Sequence, residues 1–400
     1  MQRLIPEKQS SLKNCVHCGL CLDVCPTYQL SGNENNSPRG RLYAWRAVSE
    51  GRVKTNRETD AYLNECLGCL ACQTVCPSNV PYGDLLNTIK MNRTREGADV
   101  HPVNRIIGGL VRHAGLLPLL GFPVRMLRKS GWTGHRFFFP GGPAVFLSTS
   151  AYAERLTGMF KPTGPSVTLF TGCVMESFFR EINFATVRVL LANNIRVHVP
   201  RGQACCGAVL EHNGLPGKEE LVRRNQEAFF SSRSWPVLAN SAGCGLSLKS
   251  YLDQQVQDVV CFLDGLELKR GEKLESGEVY LDIPCHLYHG QKIHSLPARV
   301  FQALGTPWRT VPEADACCGS GGTYHLTHSH NAEKIIKQKS AFLYRIEASK
   351  CVLATSNHVC MMQWNSVIKQ GPLRKKVSVK HVIQLLDESY QGAGLYPGDV

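Results

Sequence analysis

The 400-residue chain lacks any uninterrupted run of about 20 apolar residues, the length a membrane-crossing helix needs. The best candidate, "IIGGLVRHAGLLPLLGFPVRML", is broken by Arg112, His113, Pro118, Pro123 and Arg125. That pattern excludes a span and fits an interfacial helix or a buried helical linker. The opening "MQRLIPEKQSSLKN" has no apolar stretch of signal-peptide length, so export is not expected. The expected location is cytoplasmic, peripheral on the inner face of the cell membrane at most. No G-x-G-x-x-G opens a helix after a strand, and "GSGG" at 319–322 does not match it, so no dinucleotide fold is expected. No flavin-binding pattern stands out either. Hydride removal from an alcohol needs a two-electron acceptor, so this chain alone is not expected to oxidise one. Acidic residues are few: 32 Asp and Glu face 45 Lys and Arg, a net charge of +13. No nucleic-acid motif accompanies that charge, so nucleic acid is not an expected partner.

Cysteine, by contrast, is abundant. The chain carries 18, and 43% hydrophobic residues supply a core without disulfides. A chain that is not exported keeps its thiols reduced, and clustered reduced thiols point to metal. The positive charge is concentrated too. Residues 101–165 hold Arg105, Arg112, Arg125, Arg128, Lys129, Arg136, Arg155 and Lys161 against the single acid Glu154. Such a segment suits anionic lipid or an acidic partner, and it equally suits a solvated basic surface.

Two duplications organise the rest. Cys15, Cys18, Cys21 and Cys25 recur as Cys66, Cys69, Cys72 and Cys76, every offset being 51 residues, and both runs end in Cys-Pro. Downstream, Cys173, Cys205 and Cys206 recur as Cys285, Cys317 and Cys318 with an offset of 112, and Cys244 is matched by Cys360 at 116. "ACCGAV" and "ACCGSG" agree as words. "SVTLF", "EVYLDI", "IRVHVP", "WPVLAN" and "CVLATS" read as strands. "FFREINFATVRVLLANN" and "NAEKIIKQKSAFLYRIEA" have helical periodicity. Strands alternating with helices predict βαβ units, with sites beyond the carboxyl ends of parallel strands. The expected fold class is therefore multi-domain α/β. A small helical two-cluster domain spans 1–100, a basic helical linker 101–165, and duplicated α/β domains with parallel sheets 166–275 and 276–400.

Cys-x-x-Cys-x-x-Cys-x-x-x-Cys-Pro is the bacterial ferredoxin spacing, in which the fourth cysteine ligates the other cluster. This predicts one [4Fe–4S] cluster on Cys15, Cys18, Cys21 and Cys76, and a second on Cys66, Cys69, Cys72 and Cys25. Zinc prefers two well-separated Cys-x-x-Cys pairs, so iron is the expected metal here. The proline is expected to keep the chain extended after the fourth cysteine. The intervening "TYQLSGNENNSPRGRLYAWRAVSEG" reads as an inserted loop and helix, in which Arg39 and Arg41 either dock a partner or a cluster edge or stand as surface charges, the surface reading being slightly favoured.

The whole pattern resembles the cysteine-rich, or CCG, domains of heterodisulfide reductase subunits and of iron–sulfur subunits of flavin-dependent hydroxyacid dehydrogenases. It is most similar to the iron–sulfur subunit of glycolate oxidase. "CVHCGLCLDVCPTYQLSG", "SPRGRLY", "CLGCLACQTVCPSNVPYGDLL", "ACCGAV", "SAGCG", "CHLYHGQKI" and "CCGSGGTYHLTH" carry the resemblance from about residue 12 to 385. It implies an electron-transfer subunit partnered by FAD-binding oxidase subunits, passing electrons to a quinone or another acceptor. The alternatives are a heterodisulfide reductase-like catalyst and the iron–sulfur subunit of a D-lactate or glycerol-3-phosphate dehydrogenase complex. The family motif has a fifth cysteine per domain, and here Ser241 and Asn357 stand in its place. Cys173, Cys205, Cys206 and Cys244, and Cys285, Cys317, Cys318 and Cys360, are left to hold a further cluster, zinc or nothing. Tight turns and close approach to sulfide are equal readings of Gly207, Gly243, Gly319, Gly321 and Gly322. Most of His286, His289, His325, His328, His330 and His358 are expected to be structural, with His286 and His289 the best functional candidates. Cys261 and Cys351 fall off the repeat and read as buried free thiols.

Overall fold

Eight short strands organise the C-terminal part of the computed structural model. The described residues are 9–113, 115, 117 and 147–400, apart from 233, 253–254, 276, 295–296, 349, 370–371 and 399–400. Strands β1 (Ser166–Phe170), β2 (Arg196–His198), β3 (Val237–Ala239) and β4 (Val256–Asp258) form one sheet in the order β2-β1-β3-β4. Strands β5 (Glu278–Asp282), β6 (Trp308–Thr310), β7 (Cys351–Thr355) and β8 (Val377–His381) form the second, in the order β6-β5-β7-β8. Every neighbouring pair is parallel, with Thr168 opposite Val237 and Glu278 opposite Cys351. Central strands in such sheets are covered on both faces, which is why β1, β3 and β7 are buried nearly throughout rather than at alternate residues.

The repeat read from the cysteines is thus a repeat of topology. The two sheets nevertheless share one core. Leu169, Val187 and Leu238 of the first half pack in the same cluster as Val279, Leu304 and Leu385 of the second. Helices Arg180–Ala192 and Val382–Gly392 lie against each other, fixed by Arg188 donating to both Asp387 carboxylate oxygens at 2.8 and 2.7 Å.

The N-terminal part is helical around Leu42, Trp45, Leu63, Tyr82, Leu85 and Ile89. The insert between the cysteine runs holds more helix than expected: Pro38–Ser49 and Arg57–Asn64, preceded by Pro26–Ser31. Pro26 opens that last helix instead of prolonging an extended chain. Its missing N–H belongs to a group the helix leaves unpaired anyway, while the residue before it, Cys25, is the one held extended. Of the candidate membrane segment, helix Pro102–Arg112 is described. Arg125, Arg128, Lys129 and Arg136 lie outside the described residues. Among the described residues no helix is long and apolar enough to cross a membrane.

Candidate functional site

The first thiol run occupies a loop ahead of helix Pro26–Ser31. Cys15, Cys18 and Cys21 line a small cavity of about 30 Å³ together with Cys72 and with Cys76, the last cysteine of the other run. Cys18 is exposed, and Cys15, Cys21 and Cys76 are half-buried. The converse holds at the second run. Cys25 is buried, 3.3 Å from Thr27 Oγ1, and its thiol is pushed up chiefly by burial, with Cys69 near enough to add to the effect. Burial, then the charges of Cys69, Cys66, Cys25 and Cys21, pushes the Cys72 thiol well up. Cys76 thus shares a cavity with Cys15, Cys18 and Cys21, and Cys25 lies within electrostatic reach of Cys69 and Cys72.

The eight downstream cysteines sit at the carboxyl ends of the two sheets. Cys173 opens the helix after β1, and Cys244 lies in the helix after β3. Cys285 follows β5, and Cys360 lies in the helix after β7. The Cys-Cys-Gly turns follow β2 and β6. Cys173 and Cys205 sulfurs are 3.3 Å apart, and those of Cys318 and Cys360 are 3.1 Å apart. Hydrogen bonds with Cys205 and Cys244 hold Cys206 well below the usual thiol range, and bonds with Cys317 and Cys360 do the same for Cys318. Among the described residues no three Cys, His, Asp or Glu side chains gather as a single metal ion would need; these thiols meet mainly in pairs. Gly319 serves both readings of its turn. Its φ of 82° favours glycine, a Cβ would meet the Ala332 carbonyl at 2.9 Å, and its N–H donates to Cys317 Sγ at 3.4 Å. The positions of the absent fifth thiols face each other: Ser241 Oγ donates to Asn357 Oδ1 at 3.0 Å.

The second thiol run and the second half are in contact. Cys69 and Cys285 pack on an apolar cluster of Leu67, Cys317, Tyr324, Ala332 and Ile335. A hydrogen bond from the Cys317 thiol, more than any other influence, pulls Cys69 below the usual thiol range. His286 Nε2 lies 3.0 Å from the Gly68 carbonyl, and His289 Nδ1 lies 2.9 Å from Thr74 Oγ1. Burial lowers the pKa of both rings. These histidines brace the Cys66–Cys72 loop rather than standing free beside Cys285. A cavity of about 500 Å³ opens beside that loop, lined by Cys66, Lys90, His212, Tyr324 and His328 among others.

Some expectations change. Arg41 is not a surface charge: it is 2% exposed, whereas Arg39 stays outside and pairs with Glu34 at 2.7 Å. Cys351 is buried as expected, while Cys261 is only half-buried. Lys339 and Asp282, a buried pair 2.6 Å apart below the second Cys-Cys-Gly turn, had no signal in the sequence. A lysine in "AEKIIKQKSAF" reads as one more solvated charge.

The donor sets fit iron–sulfur clusters. They are wholly thiol, every cysteine is free, and the buried cations Arg41 and Lys90 lie close by with no acid paired to them among the described residues. A family model described as a 4Fe-4S dicluster domain matches residues 11–80, and one described as a cysteine-rich domain matches 167–249 and 280–365. The chain is 28% identical to the probable glycolate oxidase iron-sulfur subunit of Bacillus subtilis, over 95% of this chain and 94% of that one. It is 25% identical to one of the subunits of the dihydromethanophenazine:CoB–CoM heterodisulfide reductase of Methanosarcina acetivorans, over 78% of each. To the glycolate oxidase iron-sulfur subunit of Escherichia coli it is 31% identical over 96% of each chain. With two thiol runs, two four-cysteine sheets and that end-to-end likeness, the chain belongs to the family of glycolate oxidase iron–sulfur subunits.

Proposed function

We propose that the chain is the electron-relay subunit of a flavin-dependent 2-hydroxyacid oxidase or dehydrogenase complex, with glycolate as the leading substrate. In this reading Cys15, Cys18, Cys21 and Cys76 hold one [4Fe–4S] cluster, and Cys66, Cys69, Cys72 and Cys25 hold the second. Cys173, Cys205, Cys206 and Cys244, and their counterparts Cys285, Cys317, Cys318 and Cys360, hold a further cluster or zinc. When bound, such clusters supply one-electron chemistry, which a two-electron flavin on a partner subunit must feed. A quinone or another acceptor takes the electrons onward.

The observation that carries the reading is the continuity of the thiols. They run from exposed Cys18, through the half-buried and buried second run, to Cys317 in contact with Cys69. A relay needs one end open and the rest shielded from solvent. Val16 and Leu20 beside Cys18 are 66% and 54% exposed, and Tyr43 nearby is 54% exposed. An apolar rim of that kind suits the flavin subunit. The chain's own residues exclude water from the inner thiols and orient the loop that carries them.

The test is Cys18→Ala in the assembled complex. Turnover is expected to vanish while substrate still bleaches the flavin. Full turnover would sink the relay. The heterodisulfide reductase-like reading draws on the likeness to the Methanosarcina reductase. It is disfavoured because both fifth-thiol positions are spent on the Ser241–Asn357 hydrogen bond. Disulfide reduction by the purified chain would reverse that order.

A further inference from the structure

The second thiol run folds beside a cation for which the described residues supply no paired acid. Arg41 sits on helix Pro38–Ser49 and is 2% exposed. Its Nε donates to the Tyr62 carbonyl at 2.8 Å, and its Nη2 donates to Thr27 Oγ1 at 3.2 Å. Both partners are neutral, and among the described residues no Asp or Glu is paired with it. A guanidinium cannot shed its proton, and a buried charge left unpaired is among the costliest features a fold can keep.

Arg41 lines a cavity that Glu58 and Asp60 also line without pairing with it, and thiols lie close on its other side. Thr27 Oγ1, which receives its hydrogen bond, is 3.3 Å from Cys25 Sγ. Cys66 and Tyr82 are within its electrostatic reach, and the Tyr82 hydroxyl is 3.6 Å from Cys66 Sγ. A second cation repeats the pattern. Lys90 is 8% exposed, donates to the His212 carbonyl at 3.0 Å, and feels the negative charge of Cys66. Among the described residues the first thiol set has no such buried cation beside it. Its guanidinium, Arg39, stands at the surface with Glu34 as partner.

We propose that Arg41, assisted by Lys90, is the built-in counter-charge of the second [4Fe–4S] site and raises that site's reduction potential above the first's. The inference rests on the ligand reading given under the proposed function. A cluster held by four thiolates is an anion, and each reduction adds one further negative charge. One electron arrives and later leaves, with no bond made or broken. A fixed cation in a poorly screened site favours the more negative state, and no proton has to follow. The exposed site at Cys18 is then the lower-potential entrance. The buried site touching Cys317 is where the electron rests.

The test is an EPR-monitored redox titration of the full chain, wild type beside Arg41→Gln, Arg41→Lys, Lys90→Gln and Arg39→Gln, with iron and sulfide counted first. Arg41→Gln is expected to lower one of the two midpoints. At a fixed poise the reduced-to-oxidised ratio of that centre falls about tenfold, which is about 59 mV for a one-electron couple. Arg41→Lys keeps the charge and stays within about threefold, and Arg39→Gln moves neither midpoint by more. Full loading with unmoved midpoints in Arg41→Gln overturns the proposal alone. A wild-type chain that loads fewer than two clusters overturns the ligand reading and this proposal with it. Where Arg41→Gln fails to load, Lys90→Gln decides: a drop in one midpoint upholds the proposal, and no drop overturns it.

Discussion

The two cysteine-rich halves share strand order and cysteine placement, yet they solve the same burial problem differently. In the first, the plug behind the Cys-Cys-Gly turn is neutral. Buried Asn225 accepts from the Ala204 N–H at 2.8 Å, donates to the Cys205 carbonyl at 3.1 Å, and donates to the Tyr251 hydroxyl at 2.9 Å. In the second, the plug is an ion pair. Lys339 reaches the Ala314 and Ala316 carbonyls and meets Asp282 at 2.6 Å. Outward, among the described residues, it is the second set that packs against the N-terminal thiols, through Leu67 and Cys69. Duplication kept the frame of both halves, and divergence placed charge and contact in one.

The largest effect expected from this difference follows from removing one charge. Lys339→Met leaves Asp282, 1% exposed, as a buried carboxylate without its cation. Breaking a buried pair from one side costs about 3–5 kcal/mol. Urea unfolding monitored by circular dichroism should register that loss, and Lys339→Met combined with Asp282→Leu should recover most of it. A single variant as stable as the wild type would mean that the pair carries no more weight than Asn225 does in the first half.

A second contrast lies at the last strand of each sheet. Asp258 ends β4 and His381 ends β8, and each caps the helix that follows, accepting from Val260 N at 2.9 Å and from Ile383 N at 3.2 Å. Burial pushes Asp258 up to about 7 and His381 down to about 4. Their signs oppose. The folded state holds a proton on Asp258 that the unfolded chain gives up above its ordinary carboxylate range, so this stability is lost as pH rises toward 7. The folded state refuses a proton on His381 that the unfolded chain takes up below about 6.5, so this stability is lost as pH falls toward 4. Between about pH 4 and 6.5 the two slopes, each about 1.4 kcal/mol per pH unit, nearly cancel. His212 and His358, pushed down by burial to about 3 and about 4, add slopes of the same sign as His381, so relative to the wild type Asp258→Asn should make stability rise more steeply with pH across that window and His381→Asn should make it rise less steeply. Denaturant midpoints at pH 4.5 and 6.5 measure both. Parallel slopes in the two variants would remove the contrast.

These differences also mark what a sequence can disclose. Cysteine spacing is a local code, so both ferredoxin runs, both Cys-Cys-Gly turns and their offsets were legible, as were β1, β2, β3, β5 and β7 from their β-rich composition. The edge strands β4, "VQD", and β6, "WRT", were missed, since an edge strand needs neither length nor a continuous apolar face. The fourth strand of the second sheet, β8, "VSVKH", was missed as well. Arg41 was misjudged for a different reason. Its burial depends on Tyr62 and Thr27, which arrive from separate elements, and nothing within "SPRGRLY" announces them. Lys339 is the same case. Charges that function from inside a protein look like surface charges until the fold closes over them.

The smallest expected effect concerns a place where the halves meet at matching positions. Ser241 and Asn357 occupy matching positions and bond to each other, and Asn357 also donates to Cys360 Sγ at 3.3 Å. Ser241→Ala removes one neutral buried hydrogen bond and leaves Asn357 Oδ1 without that donor, a loss of about 0.5–1.5 kcal/mol. Asn357→Ala removes the same bond and also the contact with Cys360, while Ser241→Ala also removes a bond with the Cys244 thiol, so the difference between the two weighs one thiol contact against the other. The asymmetry is the informative quantity. If the Cys244 bond carries no weight, the double variant should cost no more than Asn357→Ala alone, because the shared bond is counted once. An additive double variant would mean that each side chain supports its own half separately, and that the two former ligand positions face each other without depending on each other.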